Sequence, residues 1–62
     1  MPQYIVDKTK GIYYSHCYNG VPKYSAKRYA FKSADSSLID TVMKQLKILE
    51  PERKIEIVML PV

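Results

Sequence analysis

Two adjacent residues, His16 and Cys17, are the ones whose side chains could support nucleophilic catalysis. They are the only histidine and the only cysteine among the 62 residues. A thiol nucleophile needs a base within hydrogen-bond reach, but neighbouring side chains of a strand point to opposite faces. Because the surrounding run IYYSHCY is typical of a strand, we expect no catalytic pair. Cys17 should be a small half-buried residue, and His16 an exposed strand residue.

Metal binding and acid–base catalysis have little support either. One histidine and one cysteine fall short of the three or four ligands of a zinc site. The carboxylates are few and gather in the second half of the chain, without a second histidine or a glycine-rich phosphate loop. A chain of 62 residues leaves little room for a ligand pocket. We therefore expect a protein that is not an enzyme, with no catalytic residue, cofactor or metal.

The basic residues and the tyrosines share the first half of the chain. Net charge is +4, and all six tyrosines lie before residue 30. Residues 1–32 carry six Lys/Arg against Asp7 alone, whereas residues 33–62 carry four Lys/Arg against five Asp/Glu. This asymmetry favours an anionic partner, either an acidic protein surface or a nucleic acid. Ordinary solubilising charge is the alternative interpretation.

Length and composition indicate a single folded domain over residues 1–62, with a thin core. A dimer or a partner could supply part of its stability. A lone cysteine cannot form an internal disulfide, so nothing indicates an oxidising compartment. Neither a membrane span nor a signal-peptide core is recognisable. We expect a reduced, cytoplasmic protein that does not enter a membrane.

Three strands are predicted in the first half of the chain. The first covers Gln3–Asp7 and the second Ile12–Tyr18, and Asn19-Gly20 is a strong signal for a two-residue hairpin turn. The third strand is predicted over Val21–Phe31. Cross-strand pairs then follow in order from the turn: Tyr18 with Val21, Cys17 with Pro22, His16 with Lys23, Ser15 with Tyr24, and Tyr14 with Ser25. Proline makes the third strand an edge strand, bent or bulged near Ser25–Lys27.

A helix and a last strand complete the chain. Apolar residues recur at helical spacing from Leu38 to Leu49, with Asp35 or Ser36 as the predicted N-cap, and Pro51 ends the helix near Glu50. Lys54–Leu60 is the last strand. The fold class is α+β, in the order β-β-β-α-β, with an antiparallel-rich sheet and one amphipathic helix packed on one face. The other face should lie in water or against a partner.

Strict alternation divides the hairpin into two faces. Tyr13, Cys17, Tyr24 and Ala26 should form the drier face. Tyr14, His16, Tyr18 and Lys23 should form an open surface of aromatic and basic side chains, although tyrosine is also simply a favoured strand residue. Such side chains serve both protein hot spots and nucleic-acid contacts. The predicted partner-binding residues are Tyr14, Tyr18, Lys23, Lys27, Arg28 and Tyr29.

The last strand is apolar on both faces apart from Glu56. Such a strand belongs in the interior of the sheet or beside the first strand. Otherwise, Val58, Leu60 and Val62 contribute to a dimer or partner contact. We expect the interior position.

Residues Lys10 to Leu46 resemble the amino-terminal arm-binding domains of phage and transposon integrases. The matching features are Gly11, Tyr13, Asn19-Gly20 and the Phe31-Lys32-Ser33 step into the helix. In that family three strands precede the helix, and the sheet enters the DNA major groove. The resemblance implies a sheet-based binder of double-stranded DNA. The chain differs from the family by a hydrophobic fourth strand and by lacking the recombinase domain.

The whole chain also resembles small ββ(β)αβ accessory proteins of bacteriophages and mobile elements. Shared features are the aromatic and basic first half, the FKS helix start and the IEIV last strand. The resemblance implies a protein that binds and occludes a host macromolecule, such as a defence nuclease, in the manner of anti-CRISPR proteins. This is our leading functional hypothesis, with a host protein as the partner. DNA binding and a small structural homodimer are the alternatives.

Overall fold

Five strands and one helix are present in the computed structural model, which describes residues 1–61. The fold class is α+β, as predicted, but the third strand is shorter than predicted and is followed by a 3₁₀ turn and by an additional short strand before the helix. The elements are β1 (Gln3–Asp7), β2 (Ile12–Tyr18), β3 (Val21–Ser25), the 3₁₀ turn (Lys27–Tyr29), β4 (Lys32–Ser33), α1 (Ser36–Leu49) and β5 (Ile55–Met59).

β1 is the central strand of the antiparallel sheet. β5 pairs with all of it, from Gln3 to Asp7, and so occupies one edge. β2 and β4 share the other edge, β2 at Val6 and Asp7 and β4 at Gln3 and Tyr4. β3 continues the sheet beyond β2. The predicted edge position of β3 is confirmed. β5 lies beside the first strand as predicted, but its interior position is wrong, because β5 is an outer strand.

The Asn19-Gly20 turn has the conformation that its sequence predicts. Both residues have positive φ, 51° and 75°, which the favoured two-residue hairpin turn requires. The first three predicted pairs, beginning with Tyr18 and Val21, are present. The pairing then shifts between Tyr14 and His16, so that Tyr14 faces Tyr24 instead of Ser25.

The sequence predicted a bend or bulge in the third strand near Ser25–Lys27. The bulge lies instead in the partner strand β2, at Ser15. On the other chain, β3 simply ends at Ser25 and the 3₁₀ turn follows. A bulge inserts one unpaired residue and increases the local twist of the strand. The predicted pairing of Ser15 with Tyr24 is wrong for this reason.

Helix α1 begins at the predicted cap. The Asp35 carboxylate accepts hydrogen bonds from the backbone N–H groups of Ser37 and Leu38, two of the donors that a helix start leaves free. The helix ends at Leu49, before Pro51. Among residues 1–61, no helix is long and apolar enough to cross a membrane.

The core lies between α1 and one face of the sheet. Its buried cluster is Ile5, Tyr14, Met43, Leu46 and Ile55. Full burial of an aliphatic or aromatic side chain contributes about 1.5–3 kcal/mol. Each residue of this cluster is therefore an important contributor to the stability of so small a domain.

The sheet face opposite the helix is partly covered as well. Tyr4 and Val6, which point to that face from β1, are only 2% and 6% exposed. The Tyr13 ring packs edge-on against Tyr4 with 5.9 Å between centroids, and the Lys27 ammonium lies 5.7 Å above the centre of the Tyr4 ring. The face expected to lie in water or against a partner is thus covered over β1 by side chains of the same chain. The open part lies farther out, on the hairpin.

β5 presents apolar side chains to solvent. Ile55 is buried, whereas Ile57 and Met59 on the same face are 37% and 58% exposed. On the other face Val58 is half-buried and Glu56 is exposed. The contribution predicted for Val62 lies outside the described residues.

Candidate functional site

The bulge at Ser15 decides which tyrosine is buried. Tyr14 lies before the bulge and points to the helix side, where it is 8% exposed and packs edge-on against Tyr24 and Phe31. His16 and Tyr18 lie after the extra residue and point to the opposite face. The prediction that Tyr14 joins the open surface is therefore wrong. Burial also raises the pKa of its phenol, with a smaller contribution from Cys17.

The side chain of Ser15 joins β2 to the 3₁₀ turn. Its hydroxyl donates to the backbone carbonyl of Tyr29 at 2.9 Å and lies 3.1 Å from Nδ1 of His16. A hydroxyl has one proton. With that proton directed to the Tyr29 carbonyl, the Ser15 oxygen accepts from Nδ1 in the tautomer of His16 that is protonated there. One bulged residue thus holds His16 and Tyr29 side by side.

The 3₁₀ turn places an aromatic and a cationic side chain in solvent. Tyr29 is 65% exposed, and the Arg28 guanidinium lies 5.5 Å from the centre of its ring. Such cation–π pairs contribute about 0.5–1 kcal/mol at exposed sites and limit the freedom of both side chains. Lys27 behaves differently, since its ammonium covers Tyr4 and donates to the Pro61 carbonyl at 3.1 Å.

The hairpin end extends the same exposed surface. Tyr18 is 63% exposed and lies opposite Val21, which is 51% exposed. Lys23 is exposed and lies opposite His16. Cys17 is exposed, so its predicted half-burial is wrong, although it points away from His16 as expected. We call the set His16, Tyr18, Lys23, Arg28 and Tyr29 the basic tyrosine surface.

No carboxylate side chain belongs to the segment that builds this surface. Residues 8–34 contain six Lys/Arg and no Asp or Glu. Lys8 alone among those six forms an ion pair within residues 1–61, with Glu56 at 2.8 Å. The charge of Lys23 and Arg28 is therefore presented to solvent, where it can attract an anionic partner.

A second polar cluster joins β1 to the loop before β5. Arg53 donates to Asp7 at 2.7 Å and to Glu50 at 2.9 Å, and its guanidinium lies 4.2 Å from the centre of the Tyr24 ring. The cluster borders an open groove of about 420 Å³. The groove is lined by Asp7, Thr9, Lys10, Glu52, Arg53 and Lys54.

The pKa of Asp7 shows that this cluster is satisfied internally. Burial raises the pKa, but the hydrogen bond and charge of Arg53, with the N–H groups of Lys10 and Thr9, bring it below 3.8. A carboxylate held ionised by so many donors is a structural anchor and a poor proton acceptor. Within residues 1–61, no group of three or more potential metal ligands is found.

The structure thus separates the six predicted binding residues into three groups. Tyr18, Lys23, Arg28 and Tyr29 share the exposed surface. Lys27 is exposed, but its ammonium contacts the Tyr4 ring and the Pro61 carbonyl. Tyr14 is in the core. Sequence reasoning missed the linking role of Ser15. A serine in an otherwise aromatic strand, one residue before histidine, is the only signal it left.

Comparison with known proteins adds no family assignment: no protein family, no curated protein and no solved structure matches this chain.

Proposed function

We propose that this chain is a non-enzymatic binding protein of bacteriophage or mobile-element origin, which occludes an acidic site on a host protein. The observation that carries the proposal is the basic tyrosine surface: exposed tyrosines with lysine and arginine, on a segment without carboxylates. The phage origin rests on the resemblance of the chain to accessory proteins of that kind. The host cytoplasm is the proposed location, and an exposed free Cys17 suits a reducing compartment.

The side chains of this surface are of the types that dominate binding energy at protein interfaces. Tyrosine and arginine are enriched among hot-spot residues, and tyrosine gives a large contact area with few rotatable bonds. The Arg28–Tyr29 stack and the Ser15 hydrogen bonds hold part of the surface in place before binding. Such ordering reduces the entropy lost on association.

Affinity capture from a host lysate tests the proposal. The bait is the wild-type chain, compared with a Tyr18→Ala/Arg28→Ala variant. We expect one or a few acidic or nucleic-acid-binding proteins to be retained by the wild type. The variant should lose at least about tenfold in affinity, since two hot-spot truncations each cost about 1–2 kcal/mol or more.

The matched control is Lys44→Ala/Lys47→Ala, which removes two exposed cations from α1. It should retain the same proteins as the wild type, because the helix is not part of the surface. Recovery of the same proteins by the Tyr18/Arg28 variant would show that the surface is wrongly assigned. Loss of binding by both variants would show that general charge, and not this surface, is responsible.

Double-stranded DNA is the second candidate partner. The observation that favours it is the same run of six cations without a carboxylate in residues 8–34. Lys/Arg contacts to phosphates give an affinity that falls steeply with salt. Binding to a random duplex at low salt, lost on raising the salt, would support this function and displace the protein partner. No binding at low salt would exclude it.

A further inference from the structure

The outer edge of β5 carries backbone groups that pair with no other strand among residues 1–61. The Leu60 N–H donates to the Pro2 carbonyl at 3.3 Å, which fixes the phase of the ladder between β1 and β5. In an antiparallel ladder, alternate residues direct both backbone groups to the same neighbour. The backbone groups of Val58 and Glu56 therefore form hydrogen bonds with β1. Ile55, Ile57 and Met59 direct their N–H and C=O groups away from it.

β5 lacks the features that usually protect such an edge. Natural edge strands carry proline, bulges or lysine, and β3 at the far edge has Pro22 and Lys23. The sequence of β5 is IEIVM, with no proline, and its register with β1 is uninterrupted. Its one charged residue, Glu56, is paired with Lys8. An apolar, regular and unpaired edge is a template for another strand.

We propose that β5 pairs with β5 of a second copy of this chain, antiparallel about a twofold axis through Ile57. In this register Ile57 pairs with Ile57 of the second copy, and Ile55 pairs with Met59 of the second copy. The outward-directed N–H and C=O groups of all three residues then find partners in the second copy, with about six main-chain hydrogen bonds. The facing side chains on the helix side are all apolar. On the other face Glu56 meets Val58, so like charges do not oppose each other.

The neighbouring registers are less favourable. An axis through Glu56 sets two glutamates side by side and leaves Met59 beyond the paired strands. An axis through Val58 sets Ile55 opposite Pro61, which has no N–H to donate. The sequence of the edge is thus self-complementary in one register, as a twofold interface requires.

The charges near this edge also permit two copies to approach. The groove between α1 and β5 is lined by both signs, with Asp40 and Glu56 beside Lys44 and Lys47. The excess positive charge lies instead on the hairpin, at the other side of the sheet. The pairing would therefore leave the basic tyrosine surface free on both copies, and it does not depend on the proposed function.

Sedimentation equilibrium between about 5 and 500 µM tests the pairing, because a weak dimer dissociates on dilution. The wild type should change from the 7.2 kDa monomer to twice that mass over this range. Ile57→Lys places two like charges on the axis and should raise the dissociation constant by about tenfold or more. Hydrogen exchange at the amides of Ile55, Ile57 and Met59 should slow as concentration rises.

Ile48→Lys is the matched control, since it adds the same charge at a residue that is 78% exposed on α1. It should dimerise like the wild type. Circular dichroism verifies that each variant is folded, and Met59→Lys replaces Ile57→Lys if that variant unfolds. A wild-type chain that stays monomeric throughout would overturn the proposal. So would a dimer that survives both edge substitutions, because it would use another surface.

Discussion

The guanidinium of Arg53 donates to the carboxylate of Asp7 at 2.7 Å, so the loop before β5 is tied to the end of β1. Asp7 is only 3% exposed, and its other oxygen accepts from the backbone N–H groups of Thr9 and Lys10. The same guanidinium reaches Glu50 after α1. One arginine thus connects the first loop, the helix end and the last strand.

Acid should therefore destabilise the fold through Asp7. Burial raises its pKa, but the donors around it lower the pKa of the folded state below 3.8. A lowered folded pKa gives stability that is present above pH 3.8 and is lost as the pH falls through the folded value. Urea unfolding at a series of pH values from 7 to about 2 measures this.

Asp7→Asn should flatten that acid limb while lowering stability at neutral pH, because the amide cannot replace the ion pair. Arg53→Ala should lower the midpoint of thermal unfolding more than Lys8→Ala, whose ion pair is exposed to solvent on both sides. Equal effects of the two substitutions would show that the buried position of Asp7 contributes nothing.

Tyr24→Phe should leave stability unchanged or raise it by up to about 1 kcal/mol. Among residues 1–61, the buried Tyr24 hydroxyl has no hydrogen-bond partner, and an unsatisfied polar group carries a desolvation cost that phenylalanine does not have. The ring contacts with Tyr14 and Arg53 remain. Urea unfolding at pH 7 measures the change. A clear loss of stability would show that the hydroxyl has a partner.

Alkaline pH gives an independent test of the same residue. Burial raises the pKa of Tyr24 from 10.0 to about 12, although Arg53 acts in the opposite direction. A raised folded pKa gives stability that is complete below pH 10 and is lost as the pH rises toward 12. Absorbance titration of the phenols should show a late component that is missing in Tyr24→Phe. If the titration curves of the wild type and Tyr24→Phe differ only in amplitude, the Tyr24 hydroxyl is not buried in solution.

The sequence predicted the helix, the four longer strands and much of the register because those depend on local signals. Asn19-Gly20 fixed the turn and the first three pairs, and Asp35 marked the helix start. It did not predict the bulge at Ser15, since an extra residue in a strand leaves no periodic trace until the partner strand is placed. The pairs between the turn and Ser15 kept their predicted faces, whereas Tyr13 and Tyr14, which precede the bulge, were assigned to the wrong faces, so that Tyr14 was placed in solvent.

The interior position of the last strand was wrong for a related reason. Hydrophobicity on both faces is typical of a buried strand, but it does not reveal which edges of the sheet are occupied. Lys32 and Ser33 form a short strand that pairs with β1 at Gln3 and Tyr4. β2 and this short strand together occupy one edge of β1, and β5 pairs with the other edge. β5 is therefore left outermost. Only the long-range pairing of residues distant in sequence determines this order.

Asp35→Ala should lower the free energy of unfolding by about 1 kcal/mol. Its carboxylate accepts from the Ser37 N–H at 2.9 Å, and loss of an N-cap costs about 0.5–2 kcal/mol. Asp40→Ala is the control, because it removes the same charge from an exposed helix position. That control should change stability by less than about 0.5 kcal/mol. Equal effects would mean that charge, and not the cap, is responsible.

Ser15→Ala should loosen the basic tyrosine surface without disrupting the hairpin. The substitution removes the hydrogen bond to the Tyr29 carbonyl, which contributes about 0.5–1.5 kcal/mol. We expect faster hydrogen exchange at the amide of Tyr29, while that of Val21 is unchanged. Ser37→Ala, at an exposed helix position, is the control. If the Tyr29 amide exchanges at the wild-type rate in Ser15→Ala, the bulge does not position the 3₁₀ turn, and Tyr29 depends on other contacts.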